Sequence, residues 1–127
     1  MGIHHKPGFL RSLKQAWRGM IYTVRTQKHM QFHVVAGISV LLFAWWSRVT
    51  RFEWLILILA IGSVISAEVM NSAIETVVDM VQPNYHPLAG IAKDVAAGAV
   101  LVTAIQAVVI GIMVFAPALM RFTRGIF

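Results

Sequence analysis

With 127 residues, the chain has room for one domain. Hydrophobic residues make up 58% and charged residues only 13%, at a mean hydropathy of +0.73; a soluble fold this small has too much surface to hide so much apolar side chain, so lipid is its natural solvent. The formal charge of +6 would suit nucleic acid, but its placement beside long apolar stretches argues against that partner, and the lack of cysteine excludes a disulfide framework or a thiolate metal site.

From the amino terminus, Lys6, Arg11, Lys14, Arg18, Arg25 and Lys28 alternate with Leu10, Leu13, Trp17, Met20 and Val24. The apolar set recurs at three- and four-residue steps, which predicts a basic amphipathic helix over 6–28, lying on a membrane surface. No continuous apolar core occurs in these residues, which argues against a cleaved signal peptide. Beyond them, 29–47, 54–67 and 95–120 lack any Lys, Arg, Asp or Glu. The first and third reach about 28 and 39 Å as helices, enough for a hydrocarbon core of about 30 Å. The middle one spans only if its helix continues through Glu68, Asn71 and Glu75 towards Asp79. Three transmembrane helices are therefore predicted, over 30–47, 52–80 and 91–119, giving an all-α integral membrane fold over 1–127. Pro83 and Pro87 mark the second turn. With three spans, seven basic residues fall on the amino-terminal side and four opposite. The positive-inside rule then puts the amino terminus and the 82–92 loop in the cytoplasm.

Four of the five acids lie between residues 68 and 94. Relative to Glu68, at about 100° per residue, Asn71 falls at about −60°, Ser72 at +40°, Glu75 at −20° and Asp79 at +20°. The five form one stripe about 100° wide and about 16 Å long. An acid at the centre of a span costs about 2.5–3.5 kcal/mol, whereas the eight large aliphatics of 55–65 return roughly 2–5 kcal/mol together. Such a stripe must face protein, water or cations rather than lipid. Lys93 and Asp94 open the third span at the depth of Asp79. Carboxylates and an amine at one interface suit a magnesium–polyphosphate, and a buried Glu68 could take a proton from an alcohol. Together these groups suit phosphoryl transfer from a cytoplasmic nucleotide to a hydroxyl in the bilayer. Two other readings stay open: acids that merely cap or pair with lysine, and a proton relay in a small transporter. No Gly-x-x-x-x-Gly-Lys loop or soluble protein-kinase signature occurs. Three helices are too few to enclose the stripe, so self-association is expected, with small residues such as those of 96–99 permitting close helix approach.

Glu68-x-x-Asn71-Ser72-Ala73-Ile74-Glu75-x-Val77-Val78-Asp79, then Tyr85-His86-Pro87-Leu88-Ala89 and Ala92-Lys93-Asp94-x-Ala96-Ala97-Gly98-Ala99-Val100, closely resemble the prokaryotic diacylglycerol kinase family. Arg25-Thr26, Gln31-Phe32-His33 and His86-Pro87-Leu88-Ala89 look more like its undecaprenol kinase branch than its diacylglycerol branch. The resemblance implies a homotrimer of three-span subunits with active sites between them, using ATP and Mg2+ to phosphorylate a membrane lipid alcohol. The product would be undecaprenyl phosphate or, in the alternative, phosphatidic acid. It implies Glu68 as general base and Glu75 as metal ligand. It sets Asn71, Asp79, Asn84, Tyr85, His86, Lys93 and Asp94 at the nucleotide, and Trp17, Glu68 and Ala97 towards the lipid. Gln27 stands where the family usually has a second metal-binding glutamate, and the resemblance sets Arg11, one turn later, as the substitute for the family's arginine that aligns with Gly8. His29 and His33, four apart without a third ligand, read as interfacial polar residues. Trp45, Trp46 and Trp54 read as an aromatic belt at the outer interface.

Overall fold

The computed structural model describes residues 8–125 and contains four helices: α1 Phe9–Thr26, α2 Lys28–Trp46, α3 Arg51–Val81 and α4 Pro87–Thr123. The expected surface helix began at Lys6, which lies outside the described residues. Three of the helices, α2, α3 and α4, are long and apolar enough to cross a membrane. At 19, 31 and 37 residues they measure about 28, 46 and 55 Å, so α3 and α4 outrun a hydrocarbon core of about 30 Å and carry their ends beyond it.

Each helix boundary has a local cause. Gln27 alone separates α1 from α2, in extended backbone (φ −105°, ψ 115°), closing one helix and opening the next. Thr50 opens α3 with a capping box: its hydroxyl accepts from the Glu53 amide at 3.2 Å, and Glu53 Oε2 accepts from the Thr50 amide at 2.7 Å. Glu53, at the opposite end of α3 from the stripe, thereby satisfies the helix start. His86 caps α4, its Nδ1 accepting from the Leu88 amide at 3.2 Å, and Pro87 occupies the first turn, where a missing N–H costs nothing. The helix begins four residues before the expected 91 and runs four past 119, carrying Pro117 inside it. One lost backbone donor does not end a helix whose neighbouring turns remain bonded.

Short loops make α2, α3 and α4 successive antiparallel neighbours, and α3 packs most extensively on α4. The apolar core sits where α2 ends, α3 begins and α4 nears its end: Ala44, Val49, Leu57 and Val114, with Val40, Trp54, Ile110 and Phe115 against them. Aromatic rings extend it, Phe43 on Phe115 at 4.8 Å and Trp46 on Phe122 at 5.2 Å between centroids. Further along, Gly37 lets α2 approach α3 closely; a Cβ there would stand 3.0 Å from Ile61 Cγ2.

Candidate functional site

The carboxyl-terminal half of α3 carries the polar stripe, and burial along it changes with depth. Glu68, Asn71 and Ser72 are buried, Glu75 is half-buried and Asp79 exposed. In an upright helix with Arg51 at one boundary, Glu68 lies about 26 Å and Asp79 about 42 Å along the axis, so the stripe straddles the edge of a core about 30 Å thick. Asn71 Nδ2 donates to Glu75 Oε1 at 3.1 Å, holding those two side chains together one turn apart. The rest of the buried set is unmet within the chain. The Glu68 carboxylate has no hydrogen bond or ion pair among the described residues, and Asn71 Oδ1 and Ser72 Oγ are buried without partners. Buried polar groups are ordinarily paired, so the two neighbouring exceptions, Asn71 Oδ1 and Ser72 Oγ, beside an uncommitted Glu68, mark a surface that serves something other than this chain's own packing.

At the end of the stripe the chain reverses through 82–86. The Gln82 amide bonds back to the Val78 carbonyl, and Gln82 Nε2 donates to the Asn84 carbonyl at 3.3 Å. Across the hairpin Lys93 pairs with Asp79, both partly exposed. A cleft of about 210 Å³ opens there, bringing together Asp79, Asn84, Tyr85, His86 and Lys93. Tyr85 is almost fully exposed at 92%. His86 spends Nδ1 on its helix cap, which leaves Nε2 as the nitrogen open to a ligand. The local sequence makes this cleft: two prolines stop α3 from continuing into α4, and the cap restarts the helix with Lys93 two turns in.

Other candidate residues stand apart from the cleft within one chain. Glu68 and Glu75 lie deeper on α3. Gln27 is half-buried at the α1–α2 corner, and its side chain makes no hydrogen bond among the described residues. Arg11 and Trp17 are exposed on α1, Asp94 and Ala97 on α4. His29 is exposed and His33 half-buried, and no group of three His, Asp or Glu side chains suited to a metal occurs among the described residues. One chain therefore presents a polar stripe that runs from buried to exposed, a hairpin cleft that includes only its exposed end, and exposed Arg11 and Trp17 on the amino-terminal helix. The Thr50–Glu53 cap escaped the sequence reading although its Thr-x-x-Glu signature was there to find.

A family model described as prokaryotic diacylglycerol kinase matches residues 14–115. The chain is 42% identical to the undecaprenol kinase of Bacillus subtilis over 111 residues, covering 87% of this chain and 90% of that protein. It is 39% identical to a diacylglycerol kinase of Synechocystis over 115 residues, 90% of this chain and 66% of that protein. With the diacylglycerol kinase of Escherichia coli it shares 35% over 105 residues, 80% of this chain and 86% of that protein.

Proposed function

This chain belongs to the prokaryotic diacylglycerol kinase family and is a lipid kinase, and from that premise we propose that it transfers the γ-phosphate of ATP to undecaprenol at the cytoplasmic face of a bacterial cell membrane. The observation that carries the choice of acceptor is the 42% identity to an undecaprenol kinase over nearly the whole of both chains. The same transfer to diacylglycerol is the second reading, favoured by the 39% and 35% relatives.

Glu68 is the general base. The residue is 3% exposed, at the level where a lipid hydroxyl would rest, and the hydrogen-bonding capacity of its carboxylate is uncommitted. It takes the proton of the alcohol as the alcohol oxygen bonds to phosphorus and ADP departs. Lys93 and Asp94, two turns into α4, stand at the polyphosphate, and Lys93, released from Asp79, meets phosphate charge. Asn84, Tyr85 and His86 flank the nucleotide in the cleft beside them. Trp17 and Ala97 face the lipid. α1 lies on the membrane as an amphipathic helix, with Leu13, Trp17 and Val24 towards the bilayer and its basic residues towards phosphates.

The donor set suits magnesium. Its side chains are oxygen ligands, and Mg2+ is ordinarily bound by one or two carboxylates together with substrate phosphates rather than by an all-protein cage. Glu75, steadied by Asn71 Nδ2, would hold it, with the unpartnered Asn71 Oδ1 beside it and Gln27 as a neutral oxygen donor. When bound, the ion neutralises charge on the transferring phosphate. We place the amino terminus in the cytoplasm from the seven-to-four distribution of basic residues. The pieces of the site are joined in a homotrimer, where one subunit's stripe meets its neighbour's amino-terminal helix. Such an assembly also covers part of the large apolar surface that one subunit exposes.

Purified protein in mixed micelles, supplied with magnesium and ATP and with each lipid alcohol in turn, tests the proposal. ADP release dependent on undecaprenol supports it, and release dependent only on diacylglycerol selects the second reading. Absence of turnover with any alcohol rejects both and favours a transporter.

A further inference from the structure

Hydroxyls inside apolar helices ordinarily satisfy themselves by donating to a carbonyl one turn back. Ser39, Ser63, Thr76 and Thr103 do so here at 2.8–2.9 Å. Ser72 does not. It is 5% exposed, and its Oγ has no partner among the described residues, although the Glu68 carbonyl stands one turn back on the same helix. Ser47, a second buried hydroxyl without a partner, closes α2 at the far end of α3, away from the stripe.

What lies next to Ser72 gives its idle hydroxyl a use. Glu68 and Ser72 are i and i+4 on α3, so their side chains stand on one face, about 5–6 Å apart at Cβ. Glu68 is itself buried and uncommitted. The unpartnered groups of this turn differ in kind: Asn71 Oδ1, and the carboxylate form of Glu68 that a base requires, can only accept, whereas Ser72 Oγ–H can donate. An alcohol entering here needs one acceptor for its hydrogen and one donor for a lone pair. With Glu68 supplying the first and Ser72 the second, two directions around the tetrahedral oxygen are fixed. The carbon chain takes the third, and the remaining lone pair is aimed at phosphorus.

We infer that Ser72 is a substrate-orienting residue, whose hydroxyl donates to the oxygen of the acceptor alcohol while Glu68 receives that alcohol's proton. This rests on the phosphoryl-transfer reading above. The alcohol O–H bond breaks and its proton goes to Glu68. The new O–P bond forms, the bond from the γ-phosphorus to the β,γ-bridging oxygen breaks, and ADP leaves. Ser72 keeps its own proton throughout.

The test uses the full chain in mixed micelles with magnesium, ATP and either undecaprenol or farnesol, comparing wild type with Ser72→Ala. The variant should lose about 10- to 100-fold in kcat/KM for the alcohol, the scale on which misorientation slows a reaction. The loss should be the same factor for both prenols, because the contact reads the hydroxyl rather than the chain. KM for ATP should stay within twofold, and the melting temperature should hold or rise, since the change removes an unpaired buried group. A kcat/KM within twofold of wild type overturns the inference. A loss shared by ATP KM and melting temperature overturns it too, by making Ser72 a packing residue. Failure of the wild type to use any alcohol removes the phosphoryl-transfer reading itself, a result separate from either.

Discussion

The two ends of the helical bundle are built on opposite rules. At the end where α2 hands over to α3, Ala44, Leu57 and Val114 are buried against one another, rings stack between α2 and α4, and the acid present is consumed by a helix cap. At the other end Glu68, Asn71 and Ser72 are buried with hydrogen-bonding capacity unspent, and the loop leaves Tyr85 exposed. At the first end the one such group among the described residues is the Ser47 hydroxyl, beside an otherwise apolar core; at the second Asn71 Oδ1 and Ser72 Oγ adjoin an uncommitted acid on one helix face. In lipid, where an unpaired polar group is expensive, that contrast separates the part that holds the fold from the part that holds a ligand.

The contrast predicts that substitutions at the two ends fail differently. Glu68→Gln keeps the size of the side chain and removes the base, so turnover should fall by about 10²- to 10⁴-fold, the range for a general base. Gel-filtration volume and helical circular dichroism should be unchanged; turnover within tenfold of wild type would take the role of base away from Glu68. Leu57→Ala should do the reverse. Leu57 is 2% exposed in the apolar core, and truncating a buried leucine costs about 2–5 kcal/mol in water. In lipid the transfer part of that cost shrinks while the cavity part stays, so about 2 kcal/mol is expected. A lowered thermal midpoint in detergent with kcat preserved at low temperature is the signature. A kcat loss without a stability loss would join the two ends. Gln27→Glu adds a charged oxygen where the proposed metal needs one. It should lower the magnesium concentration for half-maximal turnover about tenfold, on the order of 1.4 kcal/mol. An unchanged or raised requirement would remove residue 27 from the metal.

The polar end was the more legible in the sequence, for a physical reason. Ionisable residues in an apolar stretch are so costly that their spacing alone reports a shared face, and the 3.6-residue period carried Glu68 through Asp79 onto one stripe without any tertiary information. The shared depth of Asp79 and Lys93 depended only on a tight turn, which Pro83 and Pro87 announced; that the two pair directly was seen only in the fold. What stayed hidden depends on rotamer and register. Whether Ser72 bonds back to its helix is decided by one χ1 angle, and the sequence put it on the stripe without showing its hydroxyl to be idle. The close approach of Gly37 to Ile61 needs the relative position of two helices. The expected third span already ran through Pro117; the last turn of α4, from 120 to 123, was hidden because Arg121 ends the uncharged stretch.

The smallest effect tests the apolar end at the residue where its backbone is least comfortable. α2 closes with the Val49 amide donating to the Ala44 carbonyl and the Arg48 amide to the Trp45 carbonyl, both at 3.3 Å, the paired bonds of a Schellman ending. Val49 and Ala44 are buried in the same cluster, the apolar contact that accompanies it. The motif sets Arg48 in the left-handed region, φ 51°, where a Cβ costs about 1–2 kcal/mol. Arg48→Gly relieves that strain and returns about 0.4–1 kcal/mol as extra freedom of the unfolded chain, leaving a net gain of about 0.5–1 kcal/mol. The thermal midpoint should rise slightly with activity unchanged, and on the proposed orientation the charge asymmetry grows from seven against four to seven against three. Arg48→Ala, which keeps the Cβ and loses the charge, should gain nothing. If both variants lower the midpoint equally, the guanidinium rather than the backbone governs this turn, and the apolar end then depends on a charge at the membrane boundary as the polar end does.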